Sequence, residues 1–240
     1  MLNNKAQPRE IQKVVQTGLL LSIALVIRSL SYTLYIAGVP AIRIGFAGCF
    51  TRLAGVLFGP VYGGIASGIT DFLGYLMKPE GGYIPWLTLT AIGGGVLSAL
   101  LWKWIKNIPR QQLQRILLIL FTSLTLLGIA NRVMALSKYE FTWIPVVGLI
   151  FLAIDFYLSK KRNLQQGQIY FLKLLISLAI SGIAVTTVNT YVLKLFIPAL
   201  ADKGFMILWI PRLIQELIIT PIKAYVMTIL LYIYEKFLVK

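Results

Sequence analysis

Apolar runs long enough to cross a lipid bilayer recur along this chain, and they limit the folds that are open to it. One helix needs about 20 apolar residues to span the hydrocarbon core. The 240 residues are 58% hydrophobic and only 13% charged, whereas a soluble domain carries about 25% charged residues. The sequence therefore predicts an integral membrane protein.

Apolar segments alternate with short stretches that contain proline, glycine or charged residues, which favour loops. We expect an all-α integral membrane protein with about eight transmembrane helices, in a single domain that covers residues 1–240. The predicted helices are Val14–Ile36, Ile42–Phe58, Val61–Met77, Pro85–Ile105, Ile116–Ala135, Phe141–Leu158, Ile169–Phe196 and Phe205–Phe237.

The basic residues are distributed unevenly between the predicted loops. They cluster before residue 14, between 103 and 115, at 160–162 and after 235. Cytoplasmic loops carry an excess of lysine and arginine. This pattern predicts that both termini lie in the cytoplasm, and it explains the net charge of +15 without a nucleic acid partner.

Composition excludes several classes of function. The chain has no histidine, so histidine metal sites and Ser-His-Asp triads are excluded. Its one cysteine, Cys49, cannot form an internal disulfide, and no P-loop motif is present. We expect no enzyme activity, no cofactor and no metal site.

The segment from Arg43 to Thr90 combines apolar character with charged residues and many glycines. Arg52 and Asp71 lie on either side of the breaker Gly59-Pro60. Charged groups are costly within a membrane, so they usually face a protein interior or a cavity. We interpret this segment as two close-packed helices followed by a loop that closes over a bound molecule.

Helix rise places polar groups from four predicted helices at a similar depth in the outer half of the membrane. They suggest a pocket open to the outside. The candidate substrate-binding residues are Arg43, Asp71, Tyr75, Tyr83, Trp86, Thr88, Asn189, Arg212 and Gln215.

Structural roles compete with ligand binding for several of these residues. Arg52 and Asp71 are placed to form an ion pair, as are Arg212 and Glu216, which are four residues apart on one helix. Asn189 is also suited to a hydrogen bond between helices. Tyr83 and Trp86 are typical of residues that anchor a helix end at the membrane surface.

Glycines recur four residues apart in the same region, at Gly55, Gly59 and Gly63 and again at Gly64 and Gly68. Such spacing lets helices approach closely. We expect it to pack the second and third helices together or against the fourth. Gly18 and Ser22 form another pair of small residues, four positions apart on the first predicted helix. This pair either packs against another helix of the same chain or docks on a partner membrane protein.

Several short motifs, in this order, resemble the S components of energy-coupling factor (ECF) vitamin transporters, and most of all the folate type. They cover about Val14–Trp104 and Tyr170–Lys236. They are Arg43-x-Gly45-Phe46, Leu-Ala-Gly55-x-Leu-Phe-Gly59-Pro60-x-x-Gly63, Gly68-x-x-Asp71-x-x-Gly74-Tyr75, Gly82-Tyr83-x-Pro85, Thr88-Leu-Thr, Val188-Asn189-Thr190-Tyr191-x-Leu193, Pro211-Arg212-Leu-Ile and Pro221-Ile222.

The resemblance implies a substrate-binding subunit in a prokaryotic plasma membrane that captures a vitamin from outside. It further implies a transmembrane coupling subunit and two cytoplasmic ATPase subunits as partners. The loop Lys78–Ile84 would gate the pocket, and the first helix would dock on the coupling subunit through Gly18 and Ser22, where the family typically has paired alanines.

The family core has six helices, so this chain has an apparent inserted helical pair at 113–160 between core segments 14–106 and 168–237. The resemblance implies folate or a related heterocyclic vitamin as the ligand, and the residues suit a pterin, which would stack on Tyr75, Tyr83 or Trp86. Riboflavin, thiamine, cobalamin and a modified-base precursor remain alternatives. A stand-alone secondary transporter is the competing function, although we find no convincing inverted repeat.

Overall fold

The structure is a computed structural model that describes residues 10–36, 39–79, 81–134, 145–146, 148–150, 152–153, 166–202 and 204–237. These residues are mostly helical and include one two-stranded sheet. The elements are α1 Glu10–Ser29, β1 Tyr32–Ile36, β2 Val39–Ile44, α2 Ala47–Phe58, α3 Pro60–Met77, α4 Pro85–Ile105, α5 Arg110–Met134, α6 Gln166–Phe196, α7 Pro198–Ala201 and α8 Phe205–Phe237.

Four of the described helices, α1, α4, α6 and α8, are long and apolar enough to cross a membrane. The predicted boundaries of α3, α4 and α8 agree with the structure to within one residue. Most of the predicted helix Phe141–Leu158 lies outside the described residues. The total of about eight helices and the cytoplasmic location of both termini stay predictions.

The chain divides into two compact units. One contains Met1–Lys106 and Tyr170–Lys240, and the other contains Asn107–Ile169. In the second unit, the backbone of Gly148 lies so close to the ring of Phe121 that a Cβ there would be 2.7 Å from it. The predicted inserted pair, 113–160, falls within this second unit, and the prediction of one domain stays untested.

A β-hairpin corrects the all-α prediction for the first unit. The first helix ends at Ser29 rather than Ile36, and α2 begins at Ala47 rather than Ile42. Residues 32–36 pair antiparallel with 39–44, with an irregularity between Leu34 and Tyr35 where the partner strand carries Pro40. Aromatic and β-branched residues favour strands, and a proline, which has no N–H, is tolerated at such a bulge.

Glycines pack α2, α3 and α4 together, as their spacing predicted. A Cβ on Gly63 would lie 2.7 Å from Cα of Gly55 and 2.9 Å from the carbonyl oxygen of Gly95. Gly59 has a different role, because its φ of 110° makes the turn between α2 and α3 and a Cβ there would meet nothing within 4 Å. A left-handed backbone of this kind favours glycine.

The apolar core of the first unit joins α2, α4, α6 and α8. It contains Cys49, Leu53, Trp102, Leu174, Leu178, Ala224, Met227 and Leu231. In α4, α6 and α8 these core residues lie in one half of each helix, and the residues that line a polar cavity lie in the other half.

The close approach at Gly63 can be tested by adding one methyl group. We expect Gly63→Ala to lower the free energy of unfolding by about 1–3 kcal/mol, because overpacking forces the helices apart. The matched control is Gly93→Ala on α4, where a Cβ would meet nothing within 4 Å. Thermal unfolding in detergent measures both. Equal midpoints for the two variants would contradict the packing described here.

Candidate functional site

A cavity of about 680 Å³ lies in the first unit and is lined by residues from α1, the hairpin, α2, α3, α4, α6 and α8 and from the loop before α4. Its volume is within the range of small-molecule sites, about 300–1,000 Å³. The charged residues that line it are Arg28, Arg43, Arg52, Arg212, Asp71 and Glu216. Among the residues that the structure describes, four cations against two carboxylates leave the lining with two excess positive charges.

Six of the nine predicted substrate-binding residues line this cavity. They are Arg43, Asp71, Tyr83, Asn189, Arg212 and Gln215. Tyr75, Trp86 and Thr88 do not line it, and the Trp86 side chain is 55% exposed at the start of α4. The structure brings the six together, and their contact with a ligand stays a prediction.

Asp71 pairs with Arg28, which the sequence analysis missed. Nη2 of Arg28 donates to Oδ1 of Asp71 at 2.9 Å. Gly74, one turn further along α3, makes the pair possible, because a Cβ at Gly74 would occupy the place of the Arg28 guanidinium. The proposed Arg52–Asp71 pair is therefore wrong: the rotation of the helices, which chain spacing does not reveal, points the two side chains to different partners.

Arg52 instead faces Glu216 on α8. Nη1 of Arg52 lies 3.8 Å from Oε1 of Glu216, and Nζ of Lys223 lies 3.5 Å from Oε2. Thr220 also donates to Oε1, at 3.2 Å. The proposed Arg212–Glu216 pair is likewise wrong, since Glu216 meets Arg52, Lys223 and Thr220 while Arg212 donates to Thr190.

A hydrogen-bonded chain connects Asp71 to the loop between α3 and α4. The hydroxyl of Thr88 donates to Oδ2 of Asp71 at 2.8 Å. That hydroxyl has one hydrogen, so the Tyr83 hydroxyl, 2.9 Å away, must donate to it. Tyr75 donates to the carbonyl of Gly81 at 3.1 Å. Thr88 and Tyr75 thus hold the loop from outside the cavity.

Hydrogen bonds also fix the opposite wall. Thr90 of α4 donates to the side-chain oxygen of Asn189 on α6, which is the interhelical bond proposed as the alternative role for that residue. Arg212 donates to Oγ1 of Thr190 at 3.4 Å. Nε2 of Gln215 donates to the carbonyl of Arg43 at 2.8 Å, which attaches α8 to β2.

Gly18 and Ser22 lie on α1 and are not among the residues that line the cavity. Both are exposed. A Cβ at Gly18 would meet nothing within 4 Å, and the Ser22 hydroxyl donates to the carbonyl of Gly18 at 2.9 Å within the same helix. The pair therefore packs no other described helix and leaves this face of α1 open.

A helical, apolar protein with a polar and net-positive internal cavity has the features of a membrane protein that binds a small polar solute. Comparison with protein families identifies the group: residues 12–231 match the model of the ECF transporter, substrate-specific component. The chain belongs to this family of integral membrane transport proteins.

One relative is the folate transporter FolT of Clostridium novyi (strain NT), which is 41% identical over 58 residues. That match spans 24% of this chain and 34% of the relative, so it covers about a third of the relative's length. The crystal structure of FolT bound with folic acid has a TM-score of 0.48 and 19% identity, covering 92% of this chain and 97% of that one. A structure of the S component of a bacterial ECF transporter has a TM-score of 0.47 and 15% identity, covering 97% and 99%.

The role of Thr88 in holding the loop gives a testable prediction. We expect Thr88→Val to speed hydrogen–deuterium exchange at Gly81–Tyr83 by roughly 2–10-fold, because hydrogen bonds of about 0.5–1.5 kcal/mol are lost. Thr90→Val is the control, since it keeps the bonds from Thr88 to Asp71 and Tyr83. Unchanged exchange in Thr88→Val would show that the loop is held by other contacts.

Proposed function

We propose that this protein is the high-affinity vitamin-binding subunit of an ATP-driven ECF importer in a prokaryotic plasma membrane, and that folate or a related heterocyclic vitamin is its ligand. The observation that carries the proposal is the net-positive cavity in a chain of the substrate-specific family. The segment that matches a folate transporter supports the choice of folate.

The cavity offers the chemical groups that folate needs. Folate combines a planar pterin with a glutamate tail that carries two carboxylates. Arg43 and Arg212 line the cavity and are suited to carboxylates, since arginine forms strong charge-assisted bonds with them. Tyr83 offers an aromatic face for stacking, and Asn189 and Gln215 offer amide groups to the heterocycle.

Charge also bears on the alternative vitamins. Thiamine carries a permanent positive charge, and a lining with four arginines and two carboxylates disfavours a cation. Riboflavin, which is neutral, lacks the carboxylates that Arg43 and Arg212 suit. The cavity therefore supports an anionic heterocycle such as folate better than either of these.

Import driven by ATP would require partner subunits that hydrolyse the ATP, because this sequence contains no P-loop motif of its own. We propose a transmembrane coupling subunit and two cytoplasmic ATPase subunits, with the Gly18 and Ser22 face of α1 docking on the coupling subunit. The exposure of both residues and the open space at Gly18 support this role. Small residues let helices approach closely within a bilayer.

The first test concerns the ligand. We expect Arg212→Met to weaken folic acid binding about 10–100-fold, because a charge-assisted hydrogen bond contributes about 1.5–3 kcal/mol. Arg115→Met is the control, since Arg115 is exposed on α5 outside the cavity. Isothermal titration calorimetry measures both affinities. Wild-type affinity in a folded Arg212→Met protein would argue against this residue as a ligand contact.

The second test concerns docking. We expect Gly18→Leu and Ser22→Leu to abolish ATP-dependent folate uptake in vesicles that contain the coupling and ATPase subunits, while folic acid binding is retained. The control is Ser123→Leu on α5, an exposed serine that bonds within its own helix as Ser22 does. Full uptake by both α1 variants would remove this face as the docking surface. Uptake without any ATPase would instead favour a secondary transporter.

A further inference from the structure

The β-hairpin has two unlike faces. Thr33 of β1 lies opposite Arg43 of β2, and both residues line the cavity. Successive residues of a strand point to opposite sides, so Tyr32 and Leu34, the neighbours of Thr33, point away from the cavity. Their exposure agrees with this, because Thr33 is 8% exposed, whereas Tyr32 is 67% exposed and Leu34 is 39% exposed.

An irregularity in the strand pairing adds Tyr35 to the side that points away from the cavity. The register shifts between Leu34 and Tyr35, and a bulge of this kind interrupts the alternation of side chains and re-aims one of them. Tyr35 is exposed, as its neighbour Leu34 is. Tyr32, Leu34 and Tyr35 together form an outward face that is apolar and aromatic and carries no charge.

The helices hold the hairpin through its backbone. Nζ of Lys78, at the end of α3, donates to the carbonyl of Ser31 at 3.0 Å, and Nε2 of Gln215 on α8 donates to the carbonyl of Arg43. Neither contact covers the outward face. Its three side chains stay exposed within the part of the chain that the structure describes.

The outward face continues an apolar surface of α1. Ile23, Val26 and Leu30 are exposed, and their spacing of three and four residues puts them on one side of the helix. This helix is apolar enough to cross a membrane, and only 11% of its span is buried, so its exposed side meets lipid. Only Ser31 separates Leu30 from Tyr32. The lipid-facing surface therefore passes from helix to hairpin without a charged residue between them.

Exposed aromatic residues gather at this end of the helices. Short connections make successive helices antiparallel, which places the end of α1 and the starts of α2 and α4 on one side of the membrane. Tyrosine and tryptophan are enriched where a bilayer meets water, because each has an apolar ring and a polar group. The exposed aromatic residues at this end are Tyr32, Tyr35, Phe46, Tyr83 and Trp86.

The backbone of the hairpin argues against a deeper position in the bilayer. The sheet has two strands among the described residues, so each strand has an edge that the sheet does not pair. Unpaired N–H and C=O groups are not tolerated against the hydrocarbon core. The headgroup region, in contrast, supplies water to such an edge and an apolar boundary to the side chains.

We propose that the outward face binds the headgroup region of the adjacent lipid leaflet, and that lipid thereby holds the hairpin against the cavity. The side chains of Tyr32, Leu34 and Tyr35 enter the boundary between headgroups and acyl chains, and the tyrosine hydroxyls stay among the headgroups. The opposite face, with Thr33 and Arg43, remains a wall of the cavity. The proposal holds for any ligand and does not depend on the choice of folate.

Spin labelling of the protein in phosphatidylcholine–phosphatidylglycerol nanodiscs tests where the outward face lies. Nitroxides at Tyr32→Cys and Tyr35→Cys are compared with Val26→Cys on α1 as the lipid reference and Lys106→Cys, exposed after α4, as the water reference. The native Cys49 is buried, so the label reacts with the introduced cysteine. We expect positions 32 and 35 to be more accessible to oxygen, and less accessible to a water-soluble nickel complex, than position 106.

Removal of the rings tests whether lipid holds the hairpin. We expect the double variant Tyr32→Ser, Tyr35→Ser to speed hydrogen–deuterium exchange of the β1 amides in nanodiscs roughly 3–10-fold, because burial of apolar surface in the leaflet is lost. Tyr35→Trp keeps an interfacial ring and should exchange as wild type does. The matched control is Tyr225→Ser, which removes an equally exposed tyrosine from α8.

Three results would overturn the proposal, each in a different way. Nickel accessibility at positions 32 and 35 equal to that at position 106 would place the outward face in water. Low accessibility to both oxygen and nickel would place it against protein, such as a second copy of this chain. Unchanged exchange of the β1 amides in the double variant would show that lipid does not hold the hairpin.

Discussion

Charged side chains within an apolar protein must be paired, and two ion-pair systems organise this structure. Arg28 and Asp71 connect α1 to α3, and Arg52, Glu216 and Lys223 connect α2 to α8. An unpaired charge is expensive in such surroundings, so both pairings restrict how these helices can pack. Both also contribute to the wall of one cavity. Groups that hold the helices together thus also line the cavity.

Glycines supply the space that these pairings require. Gly74 leaves room for the guanidinium of Arg28, and Gly182 leaves room for the carboxylate of Glu216. Gly63 brings α3 close to both α2 and α4. Close packing at one set of positions and open space at another therefore come from the same residue type. The spacing of glycines along the chain distinguishes these roles poorly, because only the neighbouring helix decides between them.

The sequence predicted the bounds of α3, α4 and α8 and six of the residues that line the cavity, because hydropathy and depth along a helix are properties of the chain itself. It missed the hairpin at 32–44, since a short run of apolar, aromatic and β-branched residues suits a helix or a strand. It also assigned the wrong partners to Asp71 and Glu216, because helix rotation decides which side chains meet.

The central claim is that the polar cavity of this protein binds folate or a close relative of it. Native mass spectrometry of protein purified from cells supplied with folate tests that claim directly, without mutation or partner subunits. The account predicts a species heavier than the bare protein by the mass of one folate, which converts to the bare mass on activation. Bare protein that also gains no mass when mixed with folic acid would contradict the claim.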